Sequence, residues 1–446
     1  MLTGSEYIFD NIDEALKYVL ETEQRQLTQD AKRKTPPTVF RSMPNMFSQP
    51  YADEMAKKAL VPVGSLDYPL SAWFNNAADD KFVMTRLNSG RYSLKPNLRH
   101  RKFLFRGESE FHNPCKPNLS RNPHQRRFTA ELIRGQEMKI LMMSHPLVQL
   151  LDMGVELCGK EYRFEMNLFG LTQHYYNKTS LLDLTSDPQV AAFFATTKYD
   201  WKTDTYSPIE DEDSKPGVLY YYSLNIDEDF GVQNDGRRSP LSTIGLQVFP
   251  RSGRQRGFLY DLRPNENFND VARVNAVRFR HKADIARRIY TQYDGGRKLF
   301  PDDILMQHWN RENKDKDIIS NRTVLMNKID NQQMTLAEVE SEVRSLGFDI
   351  RDYEPRFTRE ELDAYYAALK EKGLWTDFCS KIHIPGDKDG KMMQALLSLP
   401  SDPRYRWAFE RDDSHVTDFE KGYVMRVYRE CFEVKNERLE VMGYRL

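Results

Sequence analysis

Apolar side chains first recur at helical spacing near the start of the chain, where Ile12, Leu16, Val19 and Leu20 share one face behind Asn11 at the N-cap position. That pattern predicts an amphipathic helix. The polar stretch Lys32-Arg33-Lys34-Thr35-Pro36-Pro37 follows, and a second helical piece is expected around Ala52–Leu60. The period then changes. Phe103-Leu104-Phe105, Leu181-Leu182-Asp183-Leu184-Thr185 and Val218-Leu219-Tyr220-Tyr221-Tyr222 are short apolar runs of the kind buried strands carry, while Phe128–Leu151 keeps helical spacing. After the second strand run, Ser186-Asp187-Pro188 gives a helix start. Ser186 or Asp187 can cap, and proline fits the first turn, where its missing N–H costs nothing. That helix turns Val190, Ala191, Phe193 and Phe194 inward.

Toward the C-terminus the signals are those of helices. Thr335-Leu336-Ala337-Glu338, Thr358-Arg359-Glu360-Glu361 and Thr417-Asp418-Phe419-Glu420 each place a hydroxyl three residues before a glutamate, so that two free N–H groups are satisfied reciprocally. The second of these helices is expected to end at Lys372-Gly373. Together the patterns predict an α+β protein in three parts. Residues 1–95 form a partly helical N-terminal extension, residues 96–310 a mixed-sheet core, and residues 311–446 a helical C-terminal part. Within the core, the acidic stretch Ile209-Glu210-Asp211-Glu212-Asp213-Ser214-Lys215-Pro216-Gly217 reads as an exposed loop.

Composition narrows the function classes. A formal net charge of −1 over 446 residues gives no global attraction to nucleic acid or anionic membranes. Local basic clusters at Arg99-His100-Arg101-Lys102, His124-Gln125-Arg126-Arg127 and Arg251 to Arg256 either line a phosphate-binding face or are solvated surface. Cys115, Cys158, Cys379 and Cys431 are widely spaced, which argues against both a zinc site and a disulfide scaffold and fits a reducing compartment. With no signal peptide at the N-terminus and no apolar run near the roughly twenty residues of a membrane span, a cytoplasmic protein with no membrane partner is expected.

The chemistry concentrates in two segments about seventy residues apart. In the first, Phe103-Leu104-Phe105-Arg106-Gly107-Glu108, a strand ends on an arginine. Its planar fork of donors suits a phosphate or carboxylate, and Gly107 lets a ligand approach the backbone. The alternative is that Arg106 pairs with a buried carboxylate such as Asp183 and fastens two strands together. In the second segment, Gln173-His174-Tyr175 precedes the Asp183–Thr185 strand tip and a helix N-terminus, a place that favours anions. Tyr175 could stack on a base and His174 could bond a ribose, or both are half-buried helix residues with satisfied polar tips. Thr185 and Asp187 equally suit capping.

These residues resemble the FRG-domain family, named for its Phe-Arg-Gly motif. Phe105-Arg106-Gly107, Pro117-Asn118-Leu119-Ser120-Arg121, Gln173-His174-Tyr175, Leu181-Leu182-Asp183-Leu184-Thr185, Gln255-Arg256-Gly257-Phe258 and Leu299-Phe300-Pro301-Asp302 follow in the family's order over about residues 100 to 310. The resemblance implies a core similar in layout to ADP-ribosyltransferases of the arginine-serine-glutamate class, with NAD as substrate. By that likeness Arg106 and Gly107 hold NAD phosphate, His174, Tyr175 and Asp183 line the cofactor site, and Thr185 shapes the nicotinamide end. Gln255 stands where a catalytic glutamate would be expected. A glutamine carries no charge to stabilise an oxocarbenium-like transition state. Tyr176, Lys178 and Ser180 also depart from the family pattern, which has small, proline and arginine residues there.

Two functions follow from the resemblance. One is an NAD-consuming ADP-ribosyltransferase or NAD glycohydrolase, a bacterial toxin or anti-phage defence effector by analogy, acting on a protein or nucleic-acid acceptor. The other is a non-catalytic nucleotide- or macromolecule-binding module on the same scaffold.

Overall fold

A computed structural model describes residues 7–32, 64–121, 125–225, 229, 239–263, 265–312, 317–330 and 333–411. The expected helix at Ala52–Leu60, the Thr417 capping box and Cys431 lie outside the described residues. The chain divides into two compact units that cut across the three-part reading of the sequence. One gathers the described residues of 1–122, 180–302 and 381–388, and the other those of 123–179, 303–380 and 389–446.

The first unit is built on a seven-stranded mixed sheet. Its strands are β1 (Ile8–Phe9), β2 (Phe103–Glu108), β3 (Leu181–Thr185), β4 (Gly217–Ser223), β5 (Leu241–Thr243), β6 (Gly257–Asp261) and β7 (Val274–Phe279), in the spatial order β1-β7-β4-β2-β3-β6-β5. The β1–β7 pair is parallel and the others are antiparallel. Side chains alternate between two cores, as strand geometry requires. Leu104, Leu182, Leu184, Tyr220, Tyr222 and Phe258 enter one core. Phe103, Phe105, Leu219, Val277 and Phe279 enter the other, where the helices Ile12–Lys32, Pro188–Thr196 and Ala283–Gln292 cover the sheet.

The N-terminal segment is part of this unit. Asn11 Oδ1 accepts from the Glu14 N–H at 3.0 Å, as a cap should, and Ile12, Leu16 and Val19 are buried. Glu23, further along that helix, is also buried and accepts from Arg101 Nη1 and from the Lys102 and Phe103 N–H groups at 2.7–3.0 Å. A smaller three-stranded sheet joins the hairpin Phe82–Arg86 and Tyr92–Pro96 to Ile382–His383. A strand from the nominal C-terminal part therefore completes the first unit. The acidic stretch is docked: Glu212 accepts from the Ala283 N–H and Lys282 Nζ, and Glu210 accepts from Arg287 Nε, which ties it to the Ala283–Gln292 helix.

The second unit is largely helical. The helix read over Phe128–Leu151 is two helices, Gln125–Met143 and Pro146–Met153, because Pro146 has no N–H to continue the first and starts the second instead. The capping boxes at Thr335/Glu338 and Thr358/Glu361 are both formed, and the helix Arg359–Glu371 ends at Lys372, with Gly373 in a left-handed conformation at φ +59°. His145 caps the Pro146–Met153 helix by accepting from the Leu147 N–H at 3.2 Å.

His145 is fully buried, and that burial pushes its pKa down to about 3. The imidazole is thus neutral in the fold, while in the unfolded chain it protonates near the ordinary value of about 6.5. Below that pH the unfolded state binds the extra proton, so stability is present above it and is lost as pH falls toward 3. Acidification from pH 7 to 4 is expected to cost the second unit about 3 kcal/mol through this group. Denaturant titrations at the two pH values should show the loss, and His145→Asn should remove most of it.

Candidate functional site

Arg106 is the last but two residue of β2, and strand alternation turns it and Glu108 to the same face. There the guanidinium donates through Nε (2.9 Å) and Nη2 (2.7 Å) to Glu108 Oε1, and through Nη1 (3.0 Å) to the main-chain oxygen of Asp183. β2 and β3 pair directly only at Phe105–Thr185, so the arginine side chain continues the bonding where the ladder stops. The expected alternative, a strand-fastening arginine, is realised with different partners: the carbonyl of Asp183 and the carboxylate of Glu108. Among the described residues, Glu108 is the group the sequence reading missed, although the i, i+2 spacing on a strand was enough to point to it.

The side chains are 16% exposed for Arg106 and 8% for Glu108, so the pair is mostly withdrawn from water. Burial works against the Arg106 charge, but the neighbouring carboxylates, Glu108 foremost, outweigh it and raise the guanidinium above its usual pKa. Arg106 therefore stays charged. The Cys115 thiol donates to the same Glu108 oxygen at an S···O distance of 3.6 Å, and burial pushes it up to about 11, which keeps it a thiol rather than a nucleophilic thiolate at neutral pH. Tyr220 lies across the β2–β4 ladder directly opposite Arg106 and completes the cluster. Its buried hydroxyl sits against the Cys115 thiol, and Glu108 Oε2 makes no hydrogen bond.

Gly107 points to the other face. A Cβ placed there would stand 1.8 Å from the Ala191 carbonyl oxygen and 2.8 Å from the Ala195 nitrogen of the Pro188–Thr196 helix. The close approach that this glycine permits in the structure is that of the helix. The helix itself starts as the sequence predicts, with Asp187 accepting from the Gln189 N–H at 2.9 Å and Pro188 in the first turn.

Thr185 and Gln255 are brought together from seventy residues apart. The Thr185 hydroxyl donates to the main-chain oxygen of Gln255 at 2.7 Å and accepts from the Asp187 N–H at 2.9 Å. Gln255 is buried, and its side-chain amide donates to the Leu299 carbonyl at 3.3 Å. Both thus hold the framework: Thr185 joins β3 to the helix start, and Gln255 ties the start of β6 to the Leu299–Asp302 segment. Arg256 follows in a left-handed conformation at φ +50° and donates to the carbonyls of Asp79 and Asp80 at 2.7 and 3.0 Å. Arg251 is buried with its guanidinium over the Phe300 ring, and Arg101 bonds Glu23, so these basic residues are turned to the protein's own groups. The side chains of His124-Gln125-Arg126-Arg127 lie outside the described residues.

His174 and Tyr175 belong to the second unit, on a short 3-10 turn. The Tyr175 ring is fully buried, and its hydroxyl donates to Asp303 Oδ2 at 2.5 Å. In this structure the ring shows no open face to a stacking base, and its polar tip is satisfied. His174 is also buried, at 8% exposure. Tyr176 has φ +71°, a conformation that favours glycine, at the position where the family pattern has a small residue.

Among the described residues no group of His, Cys, Asp and Glu is arranged to hold a metal ion, and no helix is long and apolar enough to cross a membrane.

The site is that of a mixed α/β protein with a buried arginine–carboxylate pair where two central strands part. Residues 101–204 match the model of the FRG domain, and the chain carries a domain of that family. The match takes in Arg106, Glu108 and the Asp183–Thr185 strand and stops before Gln255 and the Leu299–Asp302 segment. No curated protein and no solved structure matches the chain.

Proposed function

We propose that the chain binds NAD at the strand ends around Arg106 and acts as an ADP-ribosyltransferase-like protein, cleaving the nicotinamide–ribose bond and passing ADP-ribose to an acceptor or to water. The observation that carries this reading is Arg106 itself: a charged guanidinium, 16% exposed, held at the one place where β2 and β3 cease to pair. Three of its N–H groups are engaged by Glu108 and Asp183, and the others remain for an incoming phosphate. A toxin or defence role rests on the family likeness alone.

A specific observation favours the second reading, a non-catalytic module. Thr185 and Gln255, the residues expected to serve catalysis, have their polar groups committed to the framework. Detection of nicotinamide released from NAD, with cell lysate as a source of acceptors and calorimetric NAD binding alongside, separates the two. Release that disappears in an Arg106 variant still folded by circular dichroism supports transfer or hydrolysis. NAD binding without release supports the module, and absence of both removes NAD from the picture.

A further inference from the structure

Glu108 carries a contradiction. Its Oε1 takes two N–H bonds from Arg106 and one S–H bond from Cys115, whereas Oε2 of the same carboxylate is buried and receives none. A buried acceptor left without a donor is costly, and native proteins rarely keep one without a use. Beside it on the same face, the buried Tyr220 hydroxyl sits against the Cys115 thiol, the group that donates to Oε1. One unpaired carboxylate oxygen, with a phenol hydroxyl beside it that can donate or accept, thus lies within a cluster whose opening is the partly exposed Arg106.

The donor that would satisfy such an oxygen is a neutral hydroxyl. A second phosphate is disfavoured, because it would bring negative charge against Glu108. We infer that Glu108 Oε2, with the Tyr220 hydroxyl beside it, receives a ribose 2′-hydroxyl of the nucleotide held at Arg106, so that the acidic ribose contact sought at Gln255 sits on β2 instead. The inference rests on the NAD-binding reading above and names the part of the ligand that this face recognises. Arg106 then has two tasks: it meets the phosphate with its remaining N–H groups and fixes the Glu108 carboxylate with the others. Glu108 acts by contact with the ribose, and Cys115 positions it.

The test compares calorimetric binding of NAD with that of its two analogues lacking the 2′-hydroxyl on either ribose. A hydrogen bond to a charged group predicts at least tenfold weaker binding of one analogue by the wild-type protein. Tyr220→Phe, which keeps the ring and its packing, should weaken NAD binding several-fold, and Glu108→Gln should reduce the discrimination between NAD and that analogue to about twofold. Equal binding of NAD and both analogues by the wild type would overturn the inference while leaving NAD binding intact, and would point to ordered water on Oε2. Retention of full discrimination in Glu108→Gln would overturn it equally. If the wild type binds no NAD, the proposed function falls together with it, an outcome distinct from the other two.

Discussion

Arg106→Ala is expected to destabilise the first unit by about 3–5 kcal/mol, because it leaves the Glu108 carboxylate buried with its charge uncompensated. The magnitude follows from the geometry. Both N–H groups on one edge of the guanidinium bond one Glu108 oxygen at 2.7–2.9 Å, and neither side chain exceeds 16% exposure, so solvent cannot take over the lost interaction. The third bond, to the Asp183 carbonyl, fastens β2 to β3 where the ladder has ended, and its loss adds a smaller cost. Removing both charges should be milder than removing one: Arg106→Met with Glu108→Leu is expected to recover most of the stability, since an apolar pair of similar size replaces the buried ion pair without stranding a charge. Denaturant unfolding of the three proteins decides this. A single mutant within about 1 kcal/mol of wild type would mean that Glu108 finds water, and the pair would then be no structural unit. The same experiment guards any activity assay, because lost turnover in an unfolded variant says nothing about phosphate binding.

Gly107→Ala is expected to be at least as damaging, by about 3 kcal/mol or more. The added methyl group would fall 1.8 Å from the Ala191 carbonyl oxygen, and the atoms in its way are helix backbone, which cannot rotate aside as a side chain can. Either the Pro188–Thr196 helix lifts off the sheet or β2 distorts, and both moves disturb the packing of Phe103 and Phe105 against Val190, Ala191 and Phe193. Gly90→Ala provides the control. That glycine has φ +83° but open surroundings, so its substitution should cost only the backbone strain, about 1–2 kcal/mol. Chemical unfolding of the two variants should separate steric exclusion from conformational strain, and equal losses would contradict the packing role given to Gly107.

Local signals were legible where the physics is local. Asn11, Asp187, Thr335 and Thr358 cap the helices that their spacing predicts, because a cap needs only a side-chain oxygen and the N–H groups of the next turn. The Leu181–Thr185 and Val218–Tyr222 runs are strands, because apolar β-rich segments of that length bury both faces. Pro146 was the local signal passed over, and the single helix read across it is two. The sequence names the residues of the site but not the partners that the fold gives them. The Phe-Arg-Gly motif sets Gly107 next to Arg106 in the chain, yet strand alternation sends Gly107 to the helix and brings Glu108 to the arginine.

The sequence by itself determined the helix starts, the strand runs, the FRG motif and the lack of any long apolar span, since each depends on neighbours within a few residues. The tertiary structure alone decided which partners those residues meet. Segments 180–302 and 381–388 return to the same unit as the N-terminal helix, and 123–179 joins 303–380, because burial of apolar faces is indifferent to chain order. The same step commits Thr185 to the Gln255 carbonyl, Gln255 to the Leu299 carbonyl and Tyr175 to Asp303. A polar side chain shut away from water must take whatever donor or acceptor the fold brings within 3 Å, and no local pattern in the chain encodes which one that will be.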